Sequence, residues 1–170
     1  MSDRAPDTRL EYREFAASRA TRLFRIAYLM CGDWHEAEDL VQSTLAKLFV
    51  AWNKVSAAQN ADAYARRTLL NTYLAQRRLR RSRETPVARF DESPSPGVDS
   101  DLRLTLVTAL RRLPPRGRAA VVLRFVEDHS VEDVAELLGT TPSAVKSLTT
   151  RSLARLRELL GADRSQLFQP

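Results

Sequence analysis

Residues 130–160 read SVEDVAELLGTTPSAVKSLTTRSLARLRELL. Ser130 followed three residues later by Asp133 forms a cap, in which a hydroxyl and a carboxylate take up the free backbone N–H groups of a helix start. Val134, Ala135 and Leu138 then recur at helical spacing. Gly139 supplies the left-handed conformation at which such a helix ends. After Thr140 and Thr141, Pro142 stands where a first helical turn tolerates proline, and Val145, Leu148, Leu153, Leu156 and Leu160 give a second helix its inner face as far as Gly161. Two helices joined by a short turn containing glycine make the helix-turn-helix pattern. The outer face of the second helix carries Ser143, Lys146, Ser147, Thr150, Arg151 and Arg155. Spacing alone also fits an ordinary helical hairpin with a solvated face, though less well, and the charges favour the helix-turn-helix reading. Residues 127–145 hold five acids and no Lys or Arg, whereas 146–157 hold four basic residues and no acid. A helix of the second kind suits the major groove, where Lys and Arg donate to guanine edges or phosphates and hydroxyls make shorter contacts.

The same periodicity extends outward. Residues 102–113 form an amphipathic helix stopped by Pro114-Pro115, and 116–127 form another carrying Ala120, Val121, Leu123 and Phe125. Towards the N-terminus, Phe15, Leu23, Ile26, Ala27 and Met30 share a face over 10–30, and Ala37, Leu40, Val41, Leu45, Leu48 and Trp52 share one over 34–52. Asp33 and Glu36 are spaced as a capping box at the second of these. A further helix over 61–81 has Tyr64, Leu70 and Leu74 on its packed stripe. No useful stretch alternates with period two, so the fold expected is all-α. Residues 82–100 contain Pro86, Pro94, Pro96 and Gly97 without a sustained apolar period, and a structureless run of that length belongs between domains. The organisation expected is two helical domains joined by a flexible linker: 1–82, a linker over 83–101, the helix-turn-helix domain over 102–161 and a short tail over 162–170.

The 170 residues are 44% apolar, with 27 Lys and Arg against 21 Asp and Glu and a net charge of +6. That composition excludes a disordered or collagen-like chain and favours an anionic partner. No apolar run reaches the ~20 residues that span a bilayer, and the N-terminal stretch lacks the apolar core of a signal peptide. A cytoplasmic location and no membrane insertion are expected. Cys31 is the only cysteine, which removes a disulfide framework and any paired-cysteine zinc site. Cys31 and His35 lie four apart, but two ligands do not make a metal site. No phosphate loop, HExxH or Ser/His/Asp spacing is present, so neither a cofactor nor catalytic activity is expected.

Two further constellations stand in the first half. Seven arginines lie between 66 and 83, including Arg66, Arg67, Arg77 and Arg78, interleaved with Asn71, Thr72, Tyr73 and Gln76. Basic residues mixed with stacking and hydrogen-bonding groups suit a single strand of nucleic acid. Asp33, Glu36, Glu38 and Asp39 form an acidic cluster continued by Gln42 and Ser43. The helix dipole explains the first two, whereas the patch beyond them points to a basic protein partner.

The segment Glu38-Asp39-Leu40-Val41-Gln42 with Leu45 and Leu48, the basic helix containing Asn71, and the run from Leu113-Pro114-Pro115-Arg116 through Ser130, Gly139 and Val145-Lys146-Ser147 together resemble the extracytoplasmic-function (ECF, group 4) sigma factors of the bacterial sigma-70 family. The resemblance spans about residues 10–160. It implies a sigma-2 domain, a linker and a sigma-4 domain that bind core RNA polymerase, through the β′ clamp helices and the β flap, and promoter DNA. It also implies an anti-sigma factor as a further partner. Glu38, Asp39, Gln42 and Ser43 match clamp-contact positions, although many relatives have Glu where this chain has Ser43. The loop 55–60, with Val55, Ser56 and Asn60, corresponds to the one that captures a flipped base of the −10 element. Arg66, Arg67, Asn71, Tyr73, Arg77 and Arg78 would follow that strand. Ala75 stands where relatives often have aspartate. Ser143, Lys146, Ser147, Thr150, Arg151 and Arg155 would read the −35 element, with Leu148 in place of a frequent arginine. The competing reading is a stand-alone helix-turn-helix regulator, which should footprint duplex DNA without polymerase.

Overall fold

A computed structural model describes residues 8–83 and 98–167, with side chains over 8–83 and 103–161. Its helices are α1 (Thr8–Cys31), α2 (Trp34–Val50), α3 (Trp52–Ser56), α4 (Ala61–Ser82), α5 (Val98–Arg111), α6 (Pro115–Phe125), α7 (Val131–Leu138) and α8 (Pro142–Leu167), and no strand occurs among the described residues. The all-α expectation holds. Residues 84–97, most of the expected linker, lie outside the described residues, as does Phe168.

In the first half, α1 and α2 are joined by two residues. Gly32 takes φ +70°, which closes α1, and the Asp33 carboxylate accepts the Glu36 N–H at 2.8 Å to open α2. The short connection forces the helices back along each other, and Leu23, Ile26 and Met30 of α1 meet Leu40 and Leu48 of α2 and Leu70 of α4 in the core. Burying side chains of this size stabilises the fold by roughly 1.5–3 kcal/mol each. The helix expected over 34–52 breaks at Ala51 (φ −96°, ψ 13°). The break turns Trp52 inward, with its ring 5.4 Å from Tyr12 and 5.2 Å from Phe15. Two bends of the chain therefore serve one aromatic cluster.

In the second half, Pro115 opens α6, and α6 lies close enough to α8 that a Cβ on Gly117 would stand 2.5 Å from Ser152 Oγ. The capping box of α7 forms in both directions, Ser130 Oγ accepting from the Asp133 N–H at 3.0 Å and Asp133 accepting from the Ser130 N–H at 3.2 Å. Gly139 ends α7 at φ +61°. Three expectations are corrected here. Helix α5 begins at Val98, inside the expected linker. Helix α8 passes through Gly161 to Leu167, because a glycine stops a helix only where it goes left-handed, and costs about 1 kcal/mol otherwise. Phe125 is exposed rather than on the inner face.

The halves are not held apart. One continuous buried cluster runs from Leu23 and Met30 through Tyr73 to Leu113, Val122 and Val145. At the seam, the Arg118 guanidinium, 5% exposed, donates to Met30 O in the last turn of α1. It also donates to Arg111 O at 2.6 Å and Leu113 O at 3.1 Å, where α5 ends. The ends of two helices, each with partial negative charge from unsatisfied carbonyls, thus face one buried cation. The stem of Arg111 crosses Gly32 so closely that no Cβ fits there.

Candidate nucleic-acid interface

Helix α8 carries the clearest division of faces. Val145, Thr149, Ser152, Leu156 and Leu159 are buried, while Ser143, Lys146, Ser147, Thr150, Arg151 and Arg155 are all exposed. The Thr149 hydroxyl is neutralised within its own helix, donating to Val145 O at 2.8 Å. Arg151 lies back along the helix, its Nε 3.3 Å from Ser147 O, and Arg155 pairs with Glu158 at 2.9 Å. These are exposed interactions of small worth, so both guanidinium groups are readily redirected to a ligand. The αL glycine and the short turn after it join α7 to α8 in the helix-turn-helix order, the motif whose second helix lies in a major groove in DNA complexes.

Helix α4 differs from its expected role at several positions. Tyr73 is 1% exposed and Val55 0%, so both are core residues rather than DNA contacts. The run Leu69-Leu70 and Thr72-Tyr73 is buried on the side facing α1 and α2, and helical rotation carries Tyr73 inward with it. Arg77 is also largely engaged: its Nη2 donates to Glu36 at 2.8 Å and approaches Cys31 O at 3.4 Å, and its guanidinium lies 5.4 Å over the Tyr73 ring. Arg80 pairs with Glu36 as well. Ser56, Asn60, Arg67, Asn71 and Arg78 are exposed, and Arg66 is half-buried. Asn60 caps α4, accepting the Ala63 N–H at 2.9 Å.

The acidic cluster of α2 divides in the same way. Asp33 is a cap and Glu36 serves Arg77 and Arg80, so only part of the cluster faces outward. Glu38, Asp39 and Gln42 are exposed and Ser43 half-buried on one side of the helix. Trp34 Nε1 donates to Glu38 at 3.0 Å, orienting that carboxylate.

Between α4 and α7 lies a cavity of about 320 Å³, walled by Asn60, Arg66 and Arg67 on one side and by His129, Asp133 and Glu136 on the other. Arg67 approaches Glu136 at 3.5 Å. His129 is held below its ordinary value by burial and then by the Arg66 charge, and Asp133 below its own by the hydrogen bonds with Ser130. Burial raises the Cys31 thiol to about 11. No group of three metal-ligating side chains and no helix long and apolar enough to cross a membrane occurs among the described residues.

Sequence reasoning missed Arg118 and the Arg22–Glu127 pair, 2.9 Å apart across the halves. One signal for Arg118 was present: it occupies an inner position of an otherwise small and apolar stretch, Gly117 to Leu123. The partner of Arg22 leaves no local trace in the sequence.

The family model for Sigma-70 region 2 matches residues 16–84, and that for Sigma-70, region 4 matches residues 103–156. The RNA polymerase sigma-E factor of Streptomyces coelicolor is 37% identical over 155 residues, which cover 90% of this chain and 88% of that one. The chain belongs to the sigma-70 family. As a sigma factor it serves promoter recognition in transcription initiation. The ECF RNA polymerase sigma factor SigE of Mycolicibacterium smegmatis is 33% identical over 165 residues, covering 92% of this sigma factor and 64% of the relative. Among solved structures, the sigma factor RpoE in complex with the anti-sigma factor NepR from Bartonella quintana superposes with a TM-score of 0.71 at 28% identity, covering 90% of this chain and 98% of that one. CnrH in complex with the cytosolic domain of CnrY shares the fold, with a TM-score of 0.64 at 22% identity over 89% and 88% of the two chains.

Proposed function

We propose that this sigma factor is a non-catalytic specificity subunit of the cytoplasm, which grips core RNA polymerase with one face of α2 and reads two promoter elements with α4 and α8. The observation that carries the reading is the outer face of α8, where six of the exposed positions are basic or hydroxylic while the inner face is buried. Residues 1–82 would form the polymerase-binding and −10 unit, and 102–161 the −35 unit. Glu38, Asp39, Gln42 and Ser43 meet the β′ clamp helices, and the second half meets the β flap. Asn60, Ser56, Arg66, Arg67, Asn71 and Arg78 follow the −10 strand, whose flipped base costs a few kcal/mol to unstack. An anti-sigma factor is a further proposed partner, since RpoE is seen bound to the anti-sigma factor NepR.

Run-off transcription from fragmented genomic DNA, with core polymerase in the presence and absence of the protein, tests the whole. RNA starts that appear only with it and share two upstream boxes are the expected result. A duplex footprint made by the protein alone, with no new starts, would instead establish a stand-alone regulator.

Two substitutions test the separate surfaces. Asp39→Arg places a cation where an acid faces outward beside Glu38; polymerase affinity should fall about tenfold or more, with an unchanged thermal midpoint. Equal affinity in a titration against core enzyme would remove α2 from the interface. Arg151→Ala should lose roughly 1–3 kcal/mol of −35 discrimination if the guanidinium forks onto a base. If it touches phosphate, affinity should drop by the same factor on every sequence and the salt dependence should weaken. Competition between matched and mismatched −35 duplexes separates the two.

A further inference from the structure

We propose that His129 makes the seam between the two halves acid-labile: a proton taken up by its imidazole sets a further cation beside Arg66 of α4 and Arg22 of α1, and α6 and α7 loosen from both helices. Acid thereby acts on the sigma factor directly, through one side chain and without a second protein.

The ring is held in place by its backbone. In the turn between α6 and α7, Asp128 takes φ +56°, the His129 N–H donates to Leu123 O at 3.0 Å, and His129 O accepts from the Arg124 guanidinium. The side chain is thereby fixed in the wall of the cavity, opposite Asn60, Arg66 and Arg67 of the first half. Its Nε2 is buried with no hydrogen-bond partner among the described residues. A neutral imidazole needs a donor or an acceptor there, but not a charge. The imidazolium carries an N–H at both nitrogens, and a buried charged donor left unpaired costs far more than a neutral one.

The surrounding charges offer the proton little compensation. Arg66 and Arg22 act on the ring as cations from α4 and α1, against Glu127 at the end of α6 and Asp133 of α7. Both carboxylates are engaged: Glu127 receives Nε and Nη2 of Arg22, and Asp133 accepts the Ser130 N–H. Further out, Arg67 approaches Glu136 at 3.5 Å, and Arg19 pairs with Asp62 beside Arg66. Burial and then Arg66 hold the ionisation of the ring below its ordinary value, so the closed seam binds this proton less tightly than an open one. The stability that follows is present in full above the ordinary value of about 6.5 and is lost as the pH falls through the depressed one.

Small-angle scattering of the full chain at constant ionic strength reads the seam. The radius of gyration should stay near the ~16 Å of a compact chain of this length at about pH 7.5 and rise at about pH 5.5. Opening takes up one proton within the sensitive window, so the ratio of compact to expanded molecules should fall by up to about tenfold per pH unit. His129→Gln keeps a polar side chain that takes no proton, and should remain compact throughout. His129→Arg carries the charge permanently and should be expanded already at neutral pH, with its helix content unchanged by circular dichroism. The chain has two histidines, and the His129 ring resonance, assigned by its absence from His129→Gln, should titrate below the ordinary value. A wild type as compact in acid as at neutrality, a glutamine variant that expands with it, or a ring that titrates above the ordinary value, drawn up by Glu127 and Asp133, would each overturn the proposal.

Discussion

Arg118→Ala should lower the stability of the chain by about 2–4 kcal/mol, and its thermal midpoint by roughly 5–15 °C. Burial pulls the Arg118 ionisation below its ordinary value, but it starts so high that the group stays charged at neutral pH. Among the described residues no carboxylate is paired with it. The partners are Met30 O, Arg111 O and Leu113 O, at the C-terminal ends of two helices whose dipoles favour a cation. Alanine would leave those carbonyls without a donor and open a cavity where the stem had packed. Part of that loss is offset, because a cation no longer has to be kept from water. Arg118→Lys should recover less than half, since an ammonium lacks the planar fork that reaches two helix ends at once. Denaturant titration measures both variants, and a change within about 0.5 kcal/mol for Arg118→Ala would show that the bridge contributes nothing net. The shape of the transition carries a second result. The wild type should unfold in one step because its halves share a core, and the alanine variant in two.

Tyr73→Ala should be at least as damaging, at about 3–5 kcal/mol, through the loss of a large buried ring. Tyr73→Phe should change stability by less than about 1 kcal/mol, since the hydroxyl is buried without a well-formed hydrogen bond among the described residues. Burial also raises the phenol above its ordinary value, so it stays neutral across the working range. The pair of variants separates a packing role from DNA contact. If the hydroxyl reads the −10 strand, Tyr73→Phe would alter promoter choice at unchanged stability; run-off transcription from a −10 mutant series would show it. The expected result is full activity for phenylalanine and loss of folded protein for alanine.

The two helices about Gly139, residues 130–160, were legible in the sequence almost residue by residue. Their signals are local: a capping box completed within four residues, a glycine that must be left-handed, and an apolar stripe at constant spacing. The outer face of α8 follows from that stripe by subtraction. Helix α4 was harder to read because its arginines and its tyrosine share one segment, and composition cannot say which side of the helix faces the core. Once Leu69, Leu70 and Thr72 are buried, Tyr73 goes with them and Arg77 is turned towards Glu36, forty-one residues away in sequence. The acidic cluster was overcounted for the same reason, since Glu36 has partners only in the folded chain. The seam lay beyond sequence reasoning. Arg22 and Glu127 are separated by 105 residues, and nothing in the periodicity of either helix specifies how two amphipathic units pack against each other.

The position of Cys31 gives the seam a chemical clock. Its thiol lies 3% exposed at the end of α1, with Arg77 and Arg118 among the charges acting on it. A group titrating near 11 is thiolate in only about one molecule in ten thousand at pH 7, whereas an open cysteine reaches a few per cent. Alkylation of the unaltered protein should therefore be slow, and its rate should climb by up to about two orders of magnitude as the halves part. The kinetics of one native side chain would then time the opening directly, in the presence of polymerase, promoter DNA or any protein that holds the two halves together.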